Sequence, residues 1–299
     1  MARQRRDEHP HDPEAKAILK PLLAIERRTY RQPEEIWDHF LKLSYALFLG
    51  IARASRDGTM PSDMAELPEV RAAQATIQPR YGADWERVAP CFGSAFTALC
   101  DASQGAITED VLGHLYMSWV IGNAATGQFF TPFALSLMIA QMHDVGALVQ
   151  ARVDAAEREH PEIARRCAIL HTRDGAEAIR YHHDHILPLV RQVIAPVSVA
   201  DPACGSGGML LAVAATLPRW MLDFGLVTFH GIDIDQTCVL MAKVNLLRYG
   251  IAPFGIRHGD ALSGEFFDAP EPSLLPTTTE PAIAEAAPLD TVEDMPLAA

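Results

Sequence analysis

Between Pro196 and Leu262 the hydrophobic period switches repeatedly between that of a strand and that of a helix, and this alternation limits the fold more than any other feature of the chain. Val197-Ser198-Val199-Ala200 is a short β-branched run closed by Asp201, followed by a glycine-rich turn and a helix from about Gly208 to Leu217. A second strand runs from about Leu226 to Asp233, a second helix from about Gln236 to Tyr249 stops at Gly250, and a third strand centres on Ile256 to His258. Strand, helix, strand, helix, strand implies parallel pairing, because only a crossover of this length returns the chain to the same end of a sheet. The expected fold class is therefore α/β, with a Rossmann-like doubly wound parallel sheet.

The chain has 299 residues, 49% of them hydrophobic, enough to fill one large core or a core and a smaller one. Residues 15–126 read as a helical N-terminal domain: Ile36, Phe40, Leu43, Leu47 and Ile51 recur at spacings that share one helix face after Pro33-Glu34-Glu35. Residues 127–262 read as the sheet domain, interrupted by a charged, helix-forming insertion at about 144–195. Phe133 to Met142 is apolar on all sides and is expected inside a core. From residue 263 to 299, six prolines, eight acids and no lysine or arginine predict a disordered acidic tail.

That tail holds eight of the excess negative charges, so a formal net charge of −13 leaves −5 on the other 262 residues. A broad basic surface for DNA is therefore not signalled, while local basic patches remain compatible with the count. Five scattered cysteines, none spaced C-x-x-C, signal neither a disulfide framework nor a structural zinc site. In His182-His183-Asp184-His185 the histidines stand one and two apart rather than four, which favours a solvated helix surface over a metal site. No apolar run is long enough to span a membrane, and the polar start lacks the apolar core of a secretion signal, so a cytoplasmic protein with no membrane partner is expected.

Asp201-Pro202-Ala203-Cys204-Gly205-Ser206-Gly207-Gly208 lies where a strand meets a helix. Glycines there allow a ligand close to the backbone, and the helix start offers free N–H groups and positive potential to an anionic group. Gly231-Ile232-Asp233-Ile234-Asp235 ends the next strand. Asp233 is placed to accept from ribose hydroxyls and Asp235 to cap the following helix, and both readings can hold. Gly259-Asp260-Ala261-Leu262 closes the third strand with another acid, suited to accept from an adenine exocyclic amine.

With Gly127-Gln128-Phe129-Phe130-Thr131-Pro132 ahead of them, these segments resemble the ordered motifs of N6-adenine DNA methyltransferases, and most of all the modification subunits of type I restriction-modification systems. Asp110-Val111-Leu112-Gly113-His114-Leu115-Tyr116 is similar to the end of the helical domain of those subunits. The resemblance implies S-adenosylmethionine as cofactor. It places Gln128, Phe129, Thr131 and Pro132 against the methionine part, and Asp201, Ala203, Gly205 and Gly207 around the amino-acid end. Asp233 is placed on the ribose, with Ile234, Asp260 and Ala261 about the adenine ring.

The sequence departs from that family where the reaction would occur. No copy of the Asn/Asp-Pro-Pro-Tyr/Phe motif, which holds the target amine and stacks on the flipped base, follows Asp260. The two asparagines, Asn123 and Asn245, lie upstream. Asp268-Ala269-Pro270 and Asp294-Met295-Pro296 lack both the second proline and the aromatic residue. No catalytic residue is assigned. The expected function is a cofactor-binding adenine-methyltransferase homologue that meets DNA through a partner subunit, with a catalytic or specificity chain as possible partner, or a remnant that does not turn over. The alternative is a non-catalytic regulatory or interaction protein of a DNA-modification or anti-restriction system. Methylation of a small molecule or protein by this chain alone would leave the DNA-methylase form of the first motif unexplained.

Overall fold

A computed structural model of the chain describes residues 12–121 and 130–268. Proline opens the first helices, where its missing N–H costs nothing: α1 (Pro13–Thr29), α2 (Pro33–Asp57) and α3 (Pro68–Tyr81) all begin with it. Asp12 caps α1 by accepting from Ala15 N at 2.8 Å, and Gly58 ends α2 in the left-handed conformation. With α4 (Trp85–Asp101) these helices enclose a core in which Ile18 and Leu22 of α1 meet Trp37 and Phe40 of α2 and Phe92 and Leu99 of α4. The face read from Ile36 to Ile51 is real but divided. Ile36, Phe40 and Leu43 enter this core, whereas Leu47 and Ile51 pack on a small cluster of Ala54, Leu67 and Val70.

A short helix α5 (Val111–Leu115) widens into a π-type turn at Tyr116–Ile121. After it come α6 (Phe133–His143), α7 (Val145–Glu159), α8 (Glu162–Leu170), α9 (Gly175–Tyr181) and α10 (Leu187–Val193). The helices at 145–193 share the core of the sheet, through Val149 and Val153 of α7 and Val190 of α10. α6 corrects an expectation. It packs on the first crossover helix with Ser136 and Ala140 buried, but Leu135, Met138 and Met142 are 43, 50 and 78% exposed. A wholly apolar composition reveals which residues can be buried, and not how many sides neighbours cover.

The remaining elements are β1 (Val197–Asp201), α11 (Gly208–Thr216), α12 (Arg219–Asp223), β2 (Val227–Asp233), α13 (Gln236–Leu247), β3 (Gly255–Asp260) and β4 (Glu265–Phe266). Strands β1, β2 and β3 are parallel, with Asp201 opposite Gly231 and Asp233 opposite His258. The chain is mixed α/β, mostly helical, with one four-stranded sheet. Two features differ from the doubly wound parallel sheet expected. β4 runs antiparallel, and the order β1-β2-β3-β4 contains no reversal among the described residues. Crossovers that all step one way build a single wing of such a sheet; reversal requires strands beyond β1, which pairs with β2 alone.

The first residues of the expected tail are also ordered. Gly259 and Asp260 pair with Phe266 and Glu265, the Arg257 guanidinium lies 4.2 Å from the centre of the Phe266 ring, and Arg257 Nε donates to Asp268 at 2.9 Å. An arginine sandwiched between an aromatic ring and a carboxylate gives six tail residues the anchor that their composition lacks. Residues 269–299 lie outside the described residues.

α13 joins the two larger cores. Val239, Ala242 and Leu246 enter the sheet core, and Cys238, Met241 and Val244 enter the helical core, so its apolar circumference is covered on two sides.

Two predictions follow from these contacts. A chain ending at Leu262 should melt below one ending at Asp268, by a few degrees for a loss of about 1–2 kcal/mol. Equal melting temperatures in scanning calorimetry would show that β4 contributes nothing. The second concerns Glu109, whose carboxylate lies within 4.8 Å of those of Asp12 and Glu14. Burial, and after it the charge of Asp12, pushes Glu109 from its ordinary 4.5 up to about 7. A carboxyl raised in the folded state stabilises fully below its unfolded value, and loses that contribution as pH rises through the folded value. Melting temperature relative to Glu109→Gln should therefore rise for the wild type as pH falls from about 8 to about 5; parallel curves would refute the shift.

Candidate functional site

Parallel strands end at one edge, so β1, β2 and β3 bring Asp201, Asp233 and Asp260 to a common rim. The turn after β1 is built for close approach. Gly205 and Gly207 have φ of 53° and 81°, a region that disfavours any side chain. A Cβ on Gly205 would stand 2.9 Å from the Phe130 ring, and one on Gly207 would stand 3.2 Å from Ala242 Cα. Gly207 then opens α11 with no side-chain cap, which leaves the first N–H groups of that helix for a ligand.

Asp233 joins this turn to the second strand. Its Oδ2 accepts from Gly205 N at 2.8 Å and its Oδ1 from Asp235 N at 2.9 Å, while Asp235 caps α13 by accepting from Thr237 N at 2.8 Å. The two acids divide the roles of rim and cap as the sequence indicates. Each Asp233 oxygen keeps a second lone pair that these backbone bonds do not use. Asp201 accepts from Ala203 N at 3.1 Å; burial, and after it the charge of Asp233, pushes its carboxyl above the usual range. The Leu262 N–H, 2.9 Å from Asp260 Oδ1, holds the Asp260 carboxyl below it. Ile234 projects from the rim, 65% exposed, and Ala261 follows Asp260 in the turn after β3.

Thr131 and Pro132 are exposed at the start of α6, and Gln128 and Phe129 lie outside the described residues. Phe130, which sequence reading quoted in its motif but did not select, lies with its ring against Gly205 and stacked on Tyr116 at 5.9 Å. Its position one residue before Thr131 was the available signal. Ser206, Asn245 and Asp110, quoted from the sequence without an assigned role, also meet here. Ser206 Oγ donates to Asp110 Oδ2, and Asn245 Nδ2 donates to Asp110 Oδ1 and to Ser206 O, both at 2.8 Å.

Two cavities lie beside the sheet, and one of them borders the rim at Asp201. One of about 430 Å³ follows the outer side of β1 between α6, α7 and α11 and reaches Asp201 and Pro202. The other, about 990 Å³, lies over Thr228, His230 and Ile232 on the face that α11 and α13 do not cover. The histidine cluster does not converge: His182 meets Phe224 edge-on, His185 leans on Tyr181, and His183 lies beside Asp184. Asp268, the described acid closest to a copy of the missing motif, is held by Arg257 through both its carboxylate and its carbonyl oxygen.

These residues suit S-adenosylmethionine by their own chemistry. An uncapped helix start fits the methionine carboxylate, and the acids of the rim fit its ammonium, its sulfonium and the ribose hydroxyls. A family model for N-6 DNA methylases matches residues 181–279, about a third of the chain, spanning the turn and all three acids. No curated protein and no solved structure matches the chain. Among the described residues no helix is long and apolar enough to cross a membrane.

Proposed function

We propose that this chain binds S-adenosylmethionine at the Gly205–Asp233 edge as a homologue of adenine-specific DNA methyltransferases of the restriction-modification type. The observation that carries the reading is the hydrogen bond from Gly205 N to Asp233, which ties the glycine turn to the acid of the neighbouring strand. In this reading the turn holds the amino-acid end, Asp233 the ribose, and Ile234, Asp260 and Ala261 border the adenine. When bound, the cofactor supplies an activated methyl group; the chain's own residues orient it and leave the acceptor to another element.

That acceptor must be drawn out of the DNA stack and aligned with the sulfur–methyl bond, and such alignment supplies several kcal/mol of rate enhancement. The engagement of Asp268 by Arg257 favours a chain that does not do this alone. We therefore place the amine-holding residues, and contact with DNA, on a catalytic or specificity partner. The same observation favours, as second reading, a regulatory protein that retains the cofactor pocket without turnover.

Asp233→Ala should weaken cofactor binding by about 1–3 kcal/mol in titration calorimetry, from lost charge-assisted bonds to the hydroxyls and from release of the Gly205 amide. Failure of the wild-type chain to bind under reducing conditions would remove the cofactor reading. The purified chain, saturated with cofactor, should transfer no radiolabelled methyl to adenine in mixed-sequence DNA above background. Incorporation that appears only with lysate of the source cell would favour the partner over the regulatory reading, and incorporation by the pure chain would overturn both.

A further inference from the structure

Asp110 stands outside the rim of acids, yet it is bonded to the turn that forms the site. It caps α5 by accepting from Gly113 N at 2.9 Å. The same carboxylate accepts from the Ser206 hydroxyl through Oδ2 and from the Asn245 amide through Oδ1. The second N–H of that amide reaches Ser206 O, closing a ring of bonds between α5, the glycine turn and α13. Ser206 is 2% exposed and Asn245 0%, so water offers little competition.

The packing leaves this ring no slack. A Cβ on Gly113 would stand 2.2 Å from Asp110 Oδ2 and 2.6 Å from Ser206 Oγ, and one on Gly208 would stand 3.1 Å from Asp110 Oδ2. Burial pushes the Asp110 carboxyl above its usual range, and the bonds from Ser206, Gly113 and Asn245, with the charge of buried Arg248 just past the end of α13, act against that in favour of the charged form. A turn with glycines at 205, 207 and 208 has little conformational preference of its own and must be held from outside. Ser206 is the residue held, by both its hydroxyl and its carbonyl, and it lies between Gly205, whose amide meets Asp233, and Gly207, which opens α11.

We propose that Asp110 is a positioning residue for the cofactor pocket, fixing the glycine turn through Ser206 and Asn245, so that the N-terminal helical layer is part of the binding site. This rests on the cofactor reading above and assigns a role to a residue outside the rim that the reading places around the ligand.

The test compares the full-length wild type with Asp110→Asn and Ser206→Ala for two ligands, S-adenosylmethionine and methylthioadenosine, which lacks the amino-acid end. Each variant should weaken S-adenosylmethionine about tenfold, the scale of one buried hydrogen bond, with methylthioadenosine unchanged within about twofold. The double variant should lose little more than either single one, since both break the same ring. Equal weakening of the two ligands, in proportion to a lowered melting temperature, would mean a merely structural role and overturns the proposal. So does unchanged binding of S-adenosylmethionine, which leaves the cofactor reading intact. If the wild type binds neither ligand, the cofactor reading itself fails and takes the proposal with it. Should Asp110→Asn not fold, Ser206→Ala, which removes a single hydroxyl, still decides between these outcomes.

Discussion

Burial of α13 on two opposite sides is the constraint on which the rest of the structure depends. A helix with Val239, Ala242 and Leu246 toward the sheet and Cys238, Met241 and Val244 toward the helical core, where α2 and α5 pack on it, cannot be removed from either layer without exposing the other. Fully burying a Val, Leu or Met side chain stabilises by about 1.5–3 kcal/mol, so Val239, Leu246, Met241 and Val244 together hold the two layers with a free energy on the scale of the whole stability of a domain. The polar residues of the same helix work within that frame. Asn245 projects to the glycine turn, and Arg248 just beyond the helix end adds charge near Asp110.

The site is a product of direction rather than of any one residue. Two crossovers of the same sense carry three strands to one edge, so acids far apart in sequence share a rim, and burial, with the charge of Asp233 added to it, raises the Asp201 carboxyl. A buried carboxyl beside a second acid is favoured in its charged form by a positively charged ligand. The backbone amides of Gly205, Asp235, Ala203 and Leu262 meanwhile hold the individual carboxylates in place.

Much of this could be read from the chain because it is local. Period two followed by period 3.6 places β1 to β3, and an acid at the end of each strand needs no long-range information. The spacing from Ile36 to Ile51 marks α2 for the same reason. What escaped was non-local. Nothing near Asp110 announces Ser206, 96 residues away, or Asn245, 135 away. The exposure of Leu135, Met138 and Met142 depends on how few neighbours α6 has, which composition does not encode. β4 depends on Arg257 being shared between Phe266 and Asp268, a contact between a strand and a segment whose acids and prolines read as tail.

The span of the Asp110 contacts also orders events during synthesis. Helices α1 to α5 leave the ribosome well before β1, and they must wait for α13 before the core that includes Met241 and Val244 closes. Closure over such separations is slow because loop entropy is lost before the contact rewards it. The glycine turn is translated between the two halves of its own anchor, so it stays unfixed until the last of them arrives. The anchor of the turn is therefore completed late in synthesis, when α13 is in place rather than when the turn is made.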